Sequence, residues 1–470
     1  MSRVTEAMRS PLAIVGAVLC TVSGALILVL AMIGTFGYRG GPYLGILGYL
    51  LLPLLFLVGL TLVLVGAVSA HRRAARAVAA GQAPPAPPVI DFGKPRTRRL
   101  LFVATGIVLA SLTILSVSSY TAVVFMDKPT FCGSCHRVIG PEFATHQRSP
   151  HARVECVACH IGPGASWFVK AKLSGLRELL HYFTNRYPQP IPVPVENLRP
   201  ARDTCEACHW PAKFTGDKLV VKTRYQDDEA STPTKTVLLM HIGGGSGSRG
   251  GGIHFHVAPG VRIRFLADPT LQRVDVVEVT RPDGTRTTYL GSASTPDPGP
   301  AAPWHVMDCI DCHNRPTHIY RSPEDAIALA ITDGLIDRSL PFLHREGLRL
   351  LKAEHPSHEA ARAAIRSGLL EFYEKLDPAA YPARQAAVER AAEELGDIWA
   401  TNVWPEMRIT WGTYPSFIGH DASSGCWRCH DDGHKTRDGK SSLSQDCALC
   451  HALLAQDEKD PEILKQLNAP

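Results

Sequence analysis

Residues 130–160 read TFCGSCHRVIGPEFATHQRSPHARVECVACH. The stretch carries one pentad twice, Cys-x-x-Cys-His, at Cys132, Cys135, His136 and at Cys156, Cys159, His160. Four more copies follow: Cys205, Cys208, His209; Cys309, Cys312, His313; Cys426, Cys429, His430; and Cys447, Cys450, His451. Twelve of the thirteen cysteines are used in this way. Two thiols three positions apart leave a helical turn on one side, where they can bond the two vinyl groups of one porphyrin, and the His that follows reaches the iron. The spacing is the attachment signal of c-type haem, so six covalently held haem c groups are expected. A four-cysteine zinc site would fit the spacing of Cys426/Cys429 with Cys447/Cys450, or of Cys132/Cys135 with Cys156/Cys159, but zinc has no use for a His after every second Cys. Disulfides, common among exported thiols, do not explain six identical pentads either.

Three apolar runs precede the pentads, at about 11–34, 43–69 and 100–125. Each is long enough to cross a bilayer as a helix, and none carries Asp, Glu, Lys or Arg. The first is too long for a cleaved signal peptide and is followed by two others. Between the second and third runs lie Arg72, Arg73, Arg76, Lys94, Arg96, Arg98 and Arg99, whereas the first connection holds only Arg39. The bias of basic residues places the long connection and the N-terminus in the cytoplasm, and all six pentads on the far side of the inner membrane. That is where c-type haem is attached. Cys20, inside the first run, reads as a packing or lipid-facing residue. Net charge is +5 with 20% charged residues, and no nucleic-acid signature is present.

Four regions are expected. They are a three-helix membrane anchor (1–126), a tri-haem segment (127–215), a β-rich insert (216–300), and a C-terminal tri-haem domain with a helical segment (301–470). The fold class is mainly α, a haem-packed multihaem protein of short helices and long loops with little regular sheet outside 253–290. The pattern RVDVVEVTRPDGTRTTYL predicts strands around a turn at Pro282–Gly284. Ser322, Pro323, Glu324 and Asp325 mark a helix start, and 357–400 reads as two amphipathic helices broken near Asp377–Pro382. The run Gly243–Gly252 lacks the Gly-Lys-Ser/Thr ending of a phosphate loop and reads as a loop. The tail beyond Leu454 is charged and expected to be exposed.

A six-coordinate, low-potential haem needs a second His. Besides the six in pentads and His71, thirteen are available: His146, His151, His181, His241, His254, His256, His305, His318, His344, His355, His358, His420 and His434. The distal candidates are His151, His241, His254, His256, His318, His420 and His434. His254 and His256 alternate across an expected strand, so one of the two would face a given haem.

The stretch quoted above, continued through VKAKLSGLRELLHYF to CEACH, resembles the NapC/NirT family of membrane-anchored quinol dehydrogenases. GGGIHFHVAPG, MDCIDCHNRPTHIY and WPEMRITWGTYPSFIGHDASSGCWRCHDDGH are similar to a larger multihaem branch. The resemblance implies electron withdrawal from membrane quinol and delivery to a periplasmic cytochrome or reductase, in anaerobic or extracellular respiration. It implies that Lys172, twelve residues past His160, lines the quinol site, and that His151 is a distal ligand. Val138 stands where many members have a ligating Met, and Leu179 where small members have an Asp. Glu178 or His181 then takes that part, and Lys172, Glu178 and Asp127 are the catalytic candidates. Lipid and quinol are the expected partners, with a homo-oligomer or a larger complex as options. The alternatives are a haem-based terminal reductase of a small oxyanion and an electron-transfer subunit without its own quinol site.

Overall fold

A computed structural model describes residues 10–35, 51–80, 92–133, 136–162, 165–195, 199–210, 214–243, 252–292, 298–299, 301–421 and 423–468. The chain divides into two units, Met1–Ser134 and Cys135–Pro470.

The first unit is helical. Helices α1 (Pro11–Thr35) and α2 (Leu52–Ala79) pack together through small residues. A Cβ on Gly16 would meet the Gly59 carbonyl at 2.5 Å, and one on Gly66 would meet Ala13 N at 2.6 Å. Glycine at these positions allows the backbones to approach, as helix pairs in lipid require. Cys20 Sγ donates to the Phe56 carbonyl at 3.3 Å, so this cysteine packs between the two helices. Outward-facing Leu12, Val15, Val18, Leu54 and Leu64 are exposed, which suits a lipid environment. Among the described residues, two helices are long and apolar enough to cross a membrane, Pro11–Val29 and Leu52–Arg73. The third expected span lies on helix α3 (Pro95–Asp127), 33 residues long, where Thr113–Asp127 is a shorter apolar stretch. The start of the second expected span, 43–50, falls outside the described residues.

These helices run past the apolar segments that define them. Arg72, Arg73 and Arg76 lie on α2, and Arg96, Arg98 and Arg99 lie on the first turns of α3. Arg is a good helix former, so a basic flank does not end a helix when its apolar part ends. At 1.5 Å per residue α3 is about 50 Å long, well beyond a hydrocarbon core of about 30 Å. Short helix α4 (Pro129–Cys132) follows it.

The second unit begins with α5 (His136–Gln147), α6 (Cys156–His160), α7 (Ala165–Phe183) and α8 (Ala201–Cys205). Two antiparallel sheets follow. One has the order β1 (Lys218–Tyr225), β2 (Pro233–Met240), β7 (His451–Glu458). The other has the order β5 (Arg286–Leu290), β4 (Val274–Thr280), β3 (Arg262–Ala267), β6 (His305–Val306). In the second sheet Ile263 and Phe265 alternate inward against Val277 and Val279. The register partners Arg264 and Glu278 form an ion pair at 2.7 Å, and Glu278 is buried. The strands flank Pro282–Gly284, where Gly284 has φ +83°, so the turn falls where the sequence puts it.

One expectation is corrected by the first sheet: regular sheet extends well outside 253–290. The charged tail beyond Leu454 is exposed over 456–460 as expected, while Ala455 of β7 lies opposite Val237 of β2 and Leu464 is buried behind them.

The largest apolar core is helical. It is built by α9 (Pro323–Thr332), α10 (Leu343–Leu351), α11 (His358–Leu376) and α12 (Tyr381–Asn402). Ser322 caps α9 by accepting from Asp325 N at 3.0 Å, and Ser357 caps α11 through Ala360 N at 3.2 Å. Leu343, Ile365, Leu369, Leu395 and Trp399 are almost fully buried. This part has an interior of its own hydrocarbon side chains, so the interior of the unit is not supplied by haem alone.

Candidate functional site

The second to fifth pentads each form a single helical turn, while in the sixth the turn covers Cys447–Leu449 and His451 opens β7. The histidine N–H donates to the carbonyl of the first cysteine: His209 to Cys205 at 2.7 Å, His313 to Cys309 at 2.9 Å and His430 to Cys426 at 3.1 Å. The second cysteine does the same, as in Cys450 N to Cys447 O at 3.1 Å. A closed turn brings both thiols and the imidazole out on one side, as bonding a single porphyrin requires. Cys159, Cys205, Cys208, Cys309, Cys312, Cys426, Cys429, Cys447 and Cys450 are free thiols. Burial pushes Cys312 up to about 11 and Cys429 up to about 12, so both are neutral thiols at pH 7. Cys135 and the side chain of His136 lie outside the described residues. Among the described residues no three His, Cys, Asp or Glu side chains converge as a metal cluster.

The histidines meet in pairs. His160 and His318 have ring centroids 6.2 Å apart, His151 and His209 6.1 Å, His256 and His430 5.9 Å, and His420 and His451 6.2 Å. Two imidazoles bound to one metal ion from opposite sides, with metal–nitrogen bonds of about 2 Å, have centroids about 6 Å apart. In every pair one partner is a pentad histidine and the other is not. A second feature agrees. The Nδ1–H of His318 donates to Glu142 O at 2.8 Å, that of His151 to Pro316 O at 3.0 Å, and that of His430 to Ser444 O at 2.9 Å. His254 donates to Ile242 O and His256 to Ile253 O, both at 2.6 Å. Committing Nδ1 to a carbonyl fixes the tautomer and presents Nε2 to a metal, as in most histidine-ligated sites. The residues present therefore fit haem.

Burial also favours the neutral, ligating form of His318, His160 and His256. It lowers His318 to about 4 and depresses His160 and His256. His313 is depressed first by burial and then by the nearby imidazoles of His254 and His209. For His451 the order is burial, then His420, then His241.

Two distal candidates differ from the rest. His434 is engaged at both nitrogens, Nδ1 with Asp431 at 2.9 Å and Nε2 with Val274 O at 3.1 Å, and so braces β4. His241 is held by Asp217 at 2.8 Å through Nδ1 and does not pair face to face with a pentad imidazole among the described residues. His146, 6.4 Å from His318, is likewise engaged at both nitrogens, by Val154 O and Gln147. His254 and His256 do not lie on a strand. They occupy the 3-10 turn Ile253–Val257.

Lys172 lies on α7, and its side chain is outside the described residues. Glu178 is exposed on the same helix. Six residues at about 100° each put positions 172 and 178 about 120° apart around the axis, so they do not share a face. His181 is half-buried near the end of α7, and Asp127 closes α3 in the other unit. Leu173, Leu176, Leu180 and Phe183 form an exposed apolar stripe along α7, each 61–67% exposed. Helical spacing places position 172 beside this stripe.

Several supporting residues are absent from the sequence reading. Glu142, Arg315 and Tyr320 build the buried bed under His318: Arg315 Nη1 lies 3.6 Å from Glu142 Oε1, and burial raises the Glu142 carboxyl. Asp308 and Asp311 cap the fourth pentad reciprocally, with Cys309 N to Asp308 at 2.6 Å and Asp308 N to Asp311 at 2.6 Å. The Asp-x-x-Asp spacing in MDCID was a visible capping signal. Arg428 donates to the carbonyls of Gly425, Leu271 and Asp311, which ties the fifth pentad to the fourth. That tie has no local sequence signal.

Residues 94–191 match the NapC/NirT cytochrome c family, N-terminal region. The cytochrome c-type protein ImcH of Geobacter sulfurreducens is 41% identical over 462 residues, covering 96% of this chain and 90% of that protein. No solved structure matches the chain. A domain match over the first pentads and a relative aligned along nearly the whole length agree with haem-ready turns and apolar N-terminal helices. The chain belongs to the NapC/NirT cytochrome c family, as a membrane-anchored multihaem protein of electron transfer carrying covalently bound haem c.

Proposed function

We propose that this chain oxidises a membrane quinol at the outer face of the inner membrane and delivers the electrons to a periplasmic cytochrome or reductase. On this reading all six pentads carry haem c, three helices anchor the chain, and the N-terminus is cytoplasmic. The observation that carries it is α7. Its apolar stripe Leu173, Leu176, Leu180 and Phe183 has the character of a surface laid on lipid, with Lys170 and Lys172 on the same helix. A quinol head group reaches that level from the bilayer. The first pentad begins five residues after α3 ends at Asp127, which keeps its cysteines near the membrane surface.

The bound haems supply one-electron acceptors at potentials set by their axial ligands. The chain supplies the rest. Quinol oxidation releases protons as well as electrons, and Lys172 takes the hydroxyl proton or orients that hydroxyl, while Glu178 stands as a proton exit. His318 serves opposite His160, His151 opposite His209, and His420 opposite His451, where Trp427 stacks on His420 at 4.2 Å and fixes its plane.

The test uses the purified holoprotein in lipid nanodiscs with a reduced quinone analogue and no partner protein. The haem α-band should rise as the quinol is consumed. Haems that stay oxidised with quinol but reduce with dithionite would make the chain an electron-transfer subunit and end the quinol reading.

A further inference from the structure

The second sheet carries no pentad, yet two elements that bear histidines rest on it. Phe255, in the 3-10 turn Ile253–Val257, and Cys429, in the fifth pentad, both pack against the sheet's apolar core of Ile263, Phe265, Val277 and Val279. Arg428 of that pentad also donates to Leu271 O at 2.7 Å, in the connection between β3 and β4. One sheet therefore seats both the turn and the pentad.

Each ring is then held locally. Nδ1 of His256 donates to Ile253 O at 2.6 Å, and Nδ1 of His430 donates to Ser444 O at 2.9 Å. A ring held in this way keeps its lone pair on Nε2. The turn is fixed at its start: Gly252 has φ +110°, a Cβ there would meet the His241 carbonyl at 2.6 Å, and Ile253 N donates to that carbonyl at 2.8 Å. At its end Arg202 donates to Val257 O at 3.4 Å. The two ring centroids lie 5.9 Å apart and the ring planes cross at 85°. His151 and His209 cross at 80°, whereas His160 and His318 cross at 45° and His420 and His451 at 31°.

We propose that His256 is the second axial ligand of the haem on Cys426, Cys429 and His430, and that the second sheet holds the two imidazole planes of that iron nearly at right angles. The π orbital of an imidazole mixes with the iron d orbital that lies across its ring. Two rings at right angles act on different d orbitals and leave them nearly equal in energy, while rings closer to parallel split the pair. The protein thereby tunes an iron through ligand orientation, with ligand identity unchanged. The proposal rests on the haem reading but not on quinol chemistry.

The experiment takes the full-length holoprotein from a strain that matures c-type cytochromes. Intact mass of the wild type counts the haems, so failure of the haem reading shows before any variant is made. Electron paramagnetic resonance of the ferric protein follows. Near-equal d orbitals give a low-spin signal with one large g value, and split orbitals give a rhombic one. The wild type should show the large-g signal from two haems, those of His151 with His209 and His256 with His430. His256→Ala should lose one haem's share of it and gain one high-spin haem, which returns to low spin on addition of imidazole. Phe255→Ala keeps the ligand but loosens its seat on the sheet, so that haem should stay low-spin while its large-g signal moves toward the rhombic type. A wild type without the large-g signal, a His256→Ala protein with no new high-spin haem, or an unmoved signal in Phe255→Ala overturns the proposal. Where His256→Ala fails to mature, His256→Met keeps a ligand and should raise the potential of one haem in a redox titration. An unchanged titration would overturn the proposal equally.

Discussion

Lys172→Gln slows reduction of the haems by a membrane quinol about 10²–10⁴-fold and leaves reduction by dithionite unchanged, because only the quinol step needs a positioned base or donor. The size follows from the chemistry. A quinol hydroxyl is a weak acid, and a site within the bilayer boundary has no bulk water to take the proton. Helical spacing sets position 172 beside the apolar stripe of Leu173, Leu176, Leu180 and Phe183, where the proposed reading brings a lipid-borne head group. On the proposed reading Glu178, about 120° away around the helix, is a relay toward water, and its replacement by Gln should cost less. Stopped-flow reduction at the α-band, with quinol and dithionite run in parallel, separates the two cases. Equal quinol rates in Lys172→Gln and the parent would leave Lys172 as a basic residue contacting head groups.

The second large effect is at His318. This imidazole sits in a built bed: Glu142 O takes its Nδ1–H, Arg315 and Tyr320 close over Glu142, and burial lowers its pKa to about 4. It is therefore neutral across physiological pH, with its ring centroid 6.2 Å from that of His160. His318→Ala should open one iron, giving one high-spin ferric haem, and slow electron passage from quinol to a soluble acceptor about 10–100-fold, the usual loss at a disturbed metal site. Glu142→Gln keeps the backbone carbonyl and should leave the spin state low while shifting the potential of that haem. A low-spin His318→Ala variant with unchanged rates would break the pairing with His160.

What could be read from the sequence was what lies close together in the chain. The Ser322 cap on α9 and the turn at Pro282–Gly284 each depend on a few adjacent residues, and the structure keeps them, as it keeps the helical turns of the second to fifth pentads. The helix pair broken near Asp377–Pro382 was also visible, with α11 ending at Leu376 and α12 starting at Tyr381. What failed depends on distant partners. β7 is a strand because β2, more than two hundred residues earlier, offers it an edge, and no local pattern in a charged tail announces that. His420 and His434 are similar by distance from a pentad. Only the fold shows that His420 faces His451 while His434 is engaged at both nitrogens by Asp431 and Val274. Alternation in IHFHV suggested a strand, yet bonds from Ile253 and His254 back to His241 and Gly243 fold it into a turn. The apolar runs marked the N-terminal helices, but Arg72 to Arg76 and Arg96 to Arg99 continue them as helix.

All of these roles depend on porphyrin bonded at the pentads. The most direct measurement is the intact mass of the polypeptide isolated from membranes of a cell that matures c-type cytochromes, read after acid has removed every non-covalent group. The account predicts the chain mass plus six haems, one for each Cys-x-x-Cys-His. A mass equal to the bare chain, or one raised by fewer than six haems with intact thiols at a pentad, would contradict it.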